Sequence, residues 1–165
     1  MAIDTLRRAL VFVVLVLVQA LVFNHIHLFG YATVLLYVYF VIILPRNYPR
    51  WATLLWSFAL GLCVDMFTNT PGMAAASLTL VGFLQPYLLE LFIPREAPEN
   101  LKSAMSTLGF TKFLTLSSML VLVHCLVFFT IESFSFFNVM QWVYSFAGTA
   151  VLTLLLLMTV ESIRK

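Results

Sequence analysis

Six apolar segments, separated by short polar stretches, limit the folds open to this chain. A helix needs roughly 20 residues to cross a hydrocarbon core of about 30 Å, so each segment is compatible with one crossing. The stretches between them are polar or rich in turn formers. The pattern predicts an all-α transmembrane fold, a six-helix bundle forming one integral membrane domain over residues 1–165. The predicted spans are approximately 9–23, 28–44, 51–68, 73–92, 108–131 and 139–160.

The composition agrees with a membrane domain. Hydrophobic residues make up 62% of the chain and charged residues only 10%, whereas a soluble domain carries roughly a quarter charged residues. Six spans leave no room for a separate catalytic domain outside the bilayer. The net charge of +2 is too small to indicate a nucleic-acid partner.

The positions of the basic residues predict the orientation of the bundle. If the six segments cross in alternate directions, all nine lysines and arginines fall on one side of the membrane. Cytoplasmic loops carry an excess of Lys and Arg, so this side is expected to be cytoplasmic, together with both termini. The nine residues are Arg7, Arg8, Arg46, Arg50, Arg95, Lys102, Lys112, Arg164 and Lys165.

Asp65 is the most informative polar residue inside a predicted span. A carboxylate facing lipid costs about 2.5 to 3.5 kcal/mol at the midplane, so Asp65 should face the bundle interior, a cavity or the interface. Ser57, Gly61 and Asp65 follow at intervals of four and share one helix face. Because small residues let a neighbouring backbone approach closely, this stripe predicts a helix contact.

Two interpretations of Asp65 stay open at this point. The carboxylate either caps or hydrogen-bonds within the turn over residues 69–72, which contains Gly72, or it serves a surface or cavity that binds a partner. Ion translocation is less favoured, because a relay needs several membrane acids or histidines in line. His124 is the one residue of this kind at a comparable depth, and we interpret it as a packing residue.

Gln85 and Glu90, in the fourth segment, are candidate buried polar groups along with His124. Gln85 precedes Pro86, which removes a backbone donor and predicts a kink. The Gln85 amide is a candidate partner for the carbonyl that this frees. Glu90 and Lys112 lie near the cytoplasmic ends of their segments and are candidates for an ion pair or for snorkelling.

The sequence gives no positive indication of an enzyme, a cofactor or a metal site. His25 and His27 have His-x-His spacing, but two imidazoles without a nearby carboxylate or thiol are a weak metal signal. Cys63 and Cys125 lie inside apolar segments, where cysteines act as small hydrophobic residues. Nucleophile-elbow, zinc-hydrolase and phosphate-loop motifs do not occur in the chain.

Two pairs of stretches resemble a known family. Residues 61–65 read Gly-Leu-Cys-Val-Asp and, after a short turn, residues 72–75 read Gly-Met-Ala-Ala, which resembles the signature of the MreD family of rod shape-determining inner-membrane proteins. Residues 24–30 (Asn-His-Ile-His-Leu-Phe-Gly) and 44–50 (Leu-Pro-Arg-Asn-Tyr-Pro-Arg) resemble the Bacteroidetes version. The size and the six-span layout agree with the family over the whole chain.

The resemblance implies a non-enzymatic scaffold of cell-wall elongation in the bacterial inner membrane. Such proteins bind MreC, a single-span protein, and so help to couple the MreB cytoskeleton to the peptidoglycan synthases. The implied fold resembles the substrate-binding component of energy-coupling-factor transporters. Gly61 and Asp65 match the family motif, and no catalytic residue is carried over.

The shared fold suggests an alternative, the substrate-binding component of a small-molecule (vitamin) uptake transporter. Such components usually carry an Ala-x-x-x-Ala pattern on the first helix, which docks their coupling subunit. Here Ala9 is followed four residues later by Val13, so the second alanine is missing. This departure favours the scaffold over the transporter.

Overall fold

Every regular secondary-structure element in the described part of the chain is a helix. The computed structural model describes residues 2–21, 35–69, 71–99, 101, 105–132 and 139–164. Within these ranges there is no strand, and the helices are α1 Ala2–Leu21, α2 Val38–Ile42, α3 Arg50–Thr68, α4 Met73–Phe92, α5 Met105–Leu108, α6 Phe110–Glu132 and α7 Val139–Arg164.

Four of these helices, α3, α4, α6 and α7, are long and apolar enough to cross a membrane. The prediction of an all-α fold with helices suited to crossing a membrane is confirmed for four of the six predicted spans. Helix α1 is also 20 residues long, but Asp4, Arg7 and Arg8 lie in its first two turns and interrupt its apolar character. It therefore does not count among the four.

The second predicted span is described only in part. Residues 28–34 lie outside the described residues, as does the whole 24–30 stretch that resembles the MreD family, including His25 and His27. The described remainder, from Leu35 onward, contains α2, a helix of five residues.

Helix α2 lies at the centre of the bundle, in contact with α1, α4 and α6. Its side chains are buried on every side, and Val38, Val41 and Ile42 have no exposed surface. A segment that is hydrophobic all round is suited to such a position. Around it, α3 packs on α4, α4 on α6 and α6 on α7, while α1 packs on α3.

Large apolar side chains also cover the outside of the bundle. On α3 alone, Leu55, Phe58, Met66 and Phe67 are exposed by 45% to 82%. Contiguous apolar surface of this kind is unusual for a soluble monomer and marks a contact with lipid or with another protein.

At one end of the bundle, the segments that carry Arg46 and Arg50 are hydrogen-bonded to neighbouring segments. The backbone N–H of Arg46 donates to the Leu101 carbonyl over 3.0 Å, and its guanidinium donates to the Ala97 carbonyl over 3.3 Å. Arg50 donates to the Tyr87 hydroxyl over 3.0 Å. We call this the cation end, and we call the opposite end, where α3 turns into α4 over residues 65–75, the hairpin end.

Candidate functional site

The Asp65 carboxylate caps the first turn of α4 from the neighbouring helix. Its Oδ1 accepts a hydrogen bond from the N–H of Ala74 over 2.9 Å, and its Oδ2 accepts one from the N–H of Ala75 over 3.0 Å. The first N–H groups of a helix have no partner within it, and the helix dipole favours negative charge there. Asp65 is only 5% exposed. Of the two interpretations, this geometry is nearer to the local cap, although the donors lie on α4, just past the 69–72 turn.

Gly61 lets the backbones of α3 and α4 touch one turn below this cap. A Cβ atom built on Gly61 would overlap the backbone of Ala74 and Ala75, lying 2.7 Å from the Ala75 nitrogen. Backbone atoms cannot rotate away as a flexible side chain can. Glycine is therefore required for α4 to approach α3 closely enough to be capped by Asp65.

Ser57 and Gly82 form the next contact along the same pair of helices. A Cβ atom on Gly82 would lie 3.0 Å from the Ser57 Cβ. The Ser57 hydroxyl donates to the Thr53 carbonyl over 2.7 Å, so this polar group is satisfied within α3. Together with the contacts of Gly61 and Asp65, this places the whole stripe against α4. The stripe is a helix contact inside the chain, not an open surface.

The turn between the two helices uses left-handed backbone conformations. Asn69 ends α3 with φ = 58°, and its N–H donates to the Asp65 carbonyl. Gly72 precedes α4 with φ = 81°, a conformation that glycine adopts without steric cost. Nothing lies within 4 Å of a Cβ atom built at Gly72. The requirement at this position is therefore conformational.

Gln85 is buried as predicted for a polar group of the bundle interior, with 2% exposure. Its Nε2 donates to the Leu44 carbonyl over 3.2 Å. This carbonyl follows the last turn of α2, where a helix leaves carbonyls without partners of its own. Helix α4 continues through Pro86 to Phe92. Gln85 therefore ties α4 to the end of the central segment.

Glu90 differs from the prediction of a buried group. Its side chain is exposed, as is that of Lys112. The buried face of α4 runs through Leu78, Gln85 and Leu89, and Glu90 lies one position past it, which rotates it toward the outside of the bundle. The prediction of Glu90 as a buried polar residue is wrong for this reason.

His124 is fully buried and hydrogen-bonded to one neighbour. Its Nε2 lies 3.0 Å from the hydroxyl oxygen of Tyr37, which is also fully buried. The two rings meet edge to face with centroids 5.3 Å apart. Within the described part of the chain, Nδ1 has no hydrogen-bond partner. His124 thus links α6 to the segment just before α2.

Glu161 anchors a buried polar cluster at the cation end. It is 3% exposed. Its Oε1 accepts a hydrogen bond from the N–H of Met105 over 3.0 Å, and its Oε2 accepts one from the Tyr39 hydroxyl. Arg164 lies 3.8 Å from Oε2 and donates to the same hydroxyl over 3.1 Å. One carboxylate thereby joins α2, α5 and α7.

This cluster was not predicted from the sequence. Glu161 lies one residue past the predicted end of the sixth segment, where an acid is normally solvated. The available signal was the spacing of Glu161 and Arg164, three residues apart, which places both on one face if the helix continues. Helix α7 does continue to Arg164.

Among the described residues, no group of three His, Cys, Asp or Glu side chains could hold a metal ion.

No family model, curated protein or solved structure matches the chain.

Proposed function

We propose that the chain is a non-enzymatic scaffold of the MreD type, a six-span protein of the bacterial inner membrane with both termini in the cytoplasm. In this role it binds an MreC-like single-span protein and helps to couple an MreB cytoskeleton to peptidoglycan synthesis. The observation that carries the proposal is the convergence of the motif residues in one contact between α3 and α4.

Each motif residue of that contact has a role in the shape of the hairpin. Gly61 provides room for the α4 backbone, and Gly72 provides the left-handed turn. Asp65 caps α4 through the N–H groups of Ala74 and Ala75. A motif whose two glycines and acid pack, turn or cap is typical of a requirement for shape. This supports a scaffold in preference to an enzyme.

The cation end supports the proposed orientation. The guanidinium of Arg8, near the start of α1, lies 4.3 Å from the centre of the Tyr48 ring, just before α3. Tyr39, late in the second segment, is hydrogen-bonded to Arg164 at the end of α7. Segments that cross in alternate directions would meet in this way. The positive-inside rule then assigns this end to the cytoplasm.

The packing also restricts where a partner helix can bind. Helix α4 covers Ser57, Gly61 and Asp65, so an MreC-like helix would have to bind an outer apolar face of the bundle. In this proposal the stripe shapes the scaffold and does not touch the partner. Replacing Asp65 would then weaken partner binding indirectly, through the fold.

The proposal makes two predictions, one about the restoration of cell shape and one about binding of the MreC-like protein. The test uses rod-shaped cells depleted of their own MreD-type protein. Expression of this chain, together with the MreC-like protein from the organism that the chain comes from, is expected to restore rod shape. The tagged chain should also copurify that single-span protein from detergent-solubilised membranes. An unrelated six-span membrane protein with the same tag, expressed at the same level, is the control.

Round cells and no copurified MreC-like protein, despite normal levels of the folded chain in the membrane, would contradict the proposal. A tightly bound vitamin in the purified protein, with uptake activity, would favour the transporter alternative. The copurified protein and any bound vitamin are both identified in the same purified sample.

A further inference from the structure

The cation end contains a cavity of about 760 Å³ between the start of α1 and the residues that follow α2. This lies in the range of about 300 to 1,000 Å³ that is usual for ligand pockets. Its charged and polar lining residues, which we call the basic wall, include Asp4, Arg7, Arg8, Tyr39, Tyr48 and Arg164. Its apolar lining residues, which we call the apolar wall, include Val11, Phe40, Ile43 and Leu44.

The basic wall has an excess of positive charge. Three arginines and one aspartate line it. Arg164 is partly neutralised by Glu161, at 3.8 Å. Within the described part of the chain, neither Arg7 nor Arg8 forms an ion pair with a carboxylate. Counted together with Asp4, Arg7 and Arg8 still leave the lining with a net positive charge that favours an anionic ligand.

Arg8 is held in place by an aromatic ring. Its guanidinium carbon lies 4.3 Å from the centre of the Tyr48 ring, and the Tyr48 hydroxyl accepts a hydrogen bond from the Trp56 indole over 2.8 Å. Stacking uses the face of the guanidinium, so its N–H donors at the edge stay available. Such a planar donor set matches phosphate oxygens.

The apolar wall indicates that the ligand is not phosphate alone. A free phosphate ion gains nothing from contact with Phe40, Ile43 and Leu44. A phospholipid combines a phosphate with acyl chains, and basic pockets between spans on the cytoplasmic side are typical sites for anionic lipid headgroups. The two walls together match a molecule with both parts.

We propose that this cavity binds an anionic phospholipid, with its phosphate beside Arg7 and Arg8 and its upper acyl chain along Val11, Phe40 and Ile43. This proposal rests on the part of the proposed function that places the chain in a membrane. It does not rest on a role in cell-wall elongation. It is a binding site of the monomer and needs no partner protein.

Native mass spectrometry of the full chain in nonionic detergent tests the proposal. The probes are phosphatidylglycerol, phosphatidylcholine with the same acyl chains, and inorganic phosphate. The first variant is Arg7→Gln/Arg8→Gln. Its matched control is Arg95→Gln/Lys112→Gln, which removes two exposed cations from outside the cavity. Arg164 is left unchanged because it belongs to the Glu161 cluster.

Phosphatidylglycerol is expected to bind the wild type at least about 10-fold more tightly than phosphatidylcholine, since only its headgroup carries a net negative charge. The Arg7→Gln/Arg8→Gln variant should lose about 30-fold in affinity for phosphatidylglycerol, and the control variant less than about 3-fold. Excess inorganic phosphate should not displace the lipid.

Three results would overturn the proposal. The wild type binding both lipids equally would show that the headgroup charge is not recognised, and this comparison needs no variant. Equal losses in the two variants would indicate nonspecific attraction. Displacement by inorganic phosphate would identify a phosphate site without a lipid component.

Discussion

Replacing Asp65 with leucine is expected to lower the free energy of unfolding of the bundle by about 2 to 6 kcal/mol. The substitution leaves the N–H groups of Ala74 and Ala75 buried without their acceptors, and each unpaired group costs about 1 to 3 kcal/mol. Leucine is more favourable than aspartate inside a span, so insertion should be unaffected. Reversible unfolding in a denaturing detergent measures the difference.

Two variants control this experiment. Asp65→Asn keeps one oxygen acceptor and should fall between the wild type and Asp65→Leu. Glu90→Gln removes an acid from the exposed face of α4 and should change the stability by less than about 0.5 kcal/mol. If Asp65→Leu unfolds at the same denaturant concentration as Glu90→Gln, the cap does not contribute to stability.

Replacing Glu161 with leucine is expected to destabilise the cation end by about 2 to 6 kcal/mol, because two buried donors each lose an acceptor at a cost of about 1 to 3 kcal/mol. The Met105 N–H and the Tyr39 hydroxyl lose their acceptor. Arg164 loses its carboxylate partner. Hydrogen exchange measured by mass spectrometry should show faster exchange in residues 105–108, with little change at the start of α4.

The Asp65 variant provides the reciprocal control for this experiment. Asp65→Leu should speed exchange in the first turn of α4 and leave residues 105–108 unchanged, because the two clusters lie at opposite ends of the bundle. Tyr39→Phe removes one donor to Glu161 and should have a smaller effect than Glu161→Leu. Faster exchange at both ends in either variant would show that the clusters are not separate.

The α3–α4 contact was predictable because its residues follow one helical period. The spacing of Ser57, Gly61 and Asp65 places them on one face, and an acid inside an apolar segment needs a partner. What the sequence left open was the identity of that partner. The capping donors of Ala74 and Ala75 belong to the backbone, which no side-chain pattern reveals.

Other features were not predictable, for physical reasons. A segment that is apolar all round has the same pattern whether it faces lipid or lies at the centre of the bundle, so the position of α2 could not be inferred. The partner of Gln85, at Leu44, lies 41 residues away along the chain. Glu90 was a candidate buried polar group. It follows the buried Leu89 by one residue, and this step around the helix points its side chain outward.

Cysteine labelling of the two ends tests the proposed orientation most directly. Pro71→Cys places a thiol at the exposed hairpin end, and Glu96→Cys places one at the exposed cation end. The parent chain, whose Cys63 and Cys125 lie inside helices, gives the background. A membrane-impermeant maleimide should label Pro71→Cys in intact spheroplasts and Glu96→Cys only after permeabilisation. Labelling of Glu96→Cys in intact spheroplasts would contradict a bundle whose basic end faces the cytoplasm.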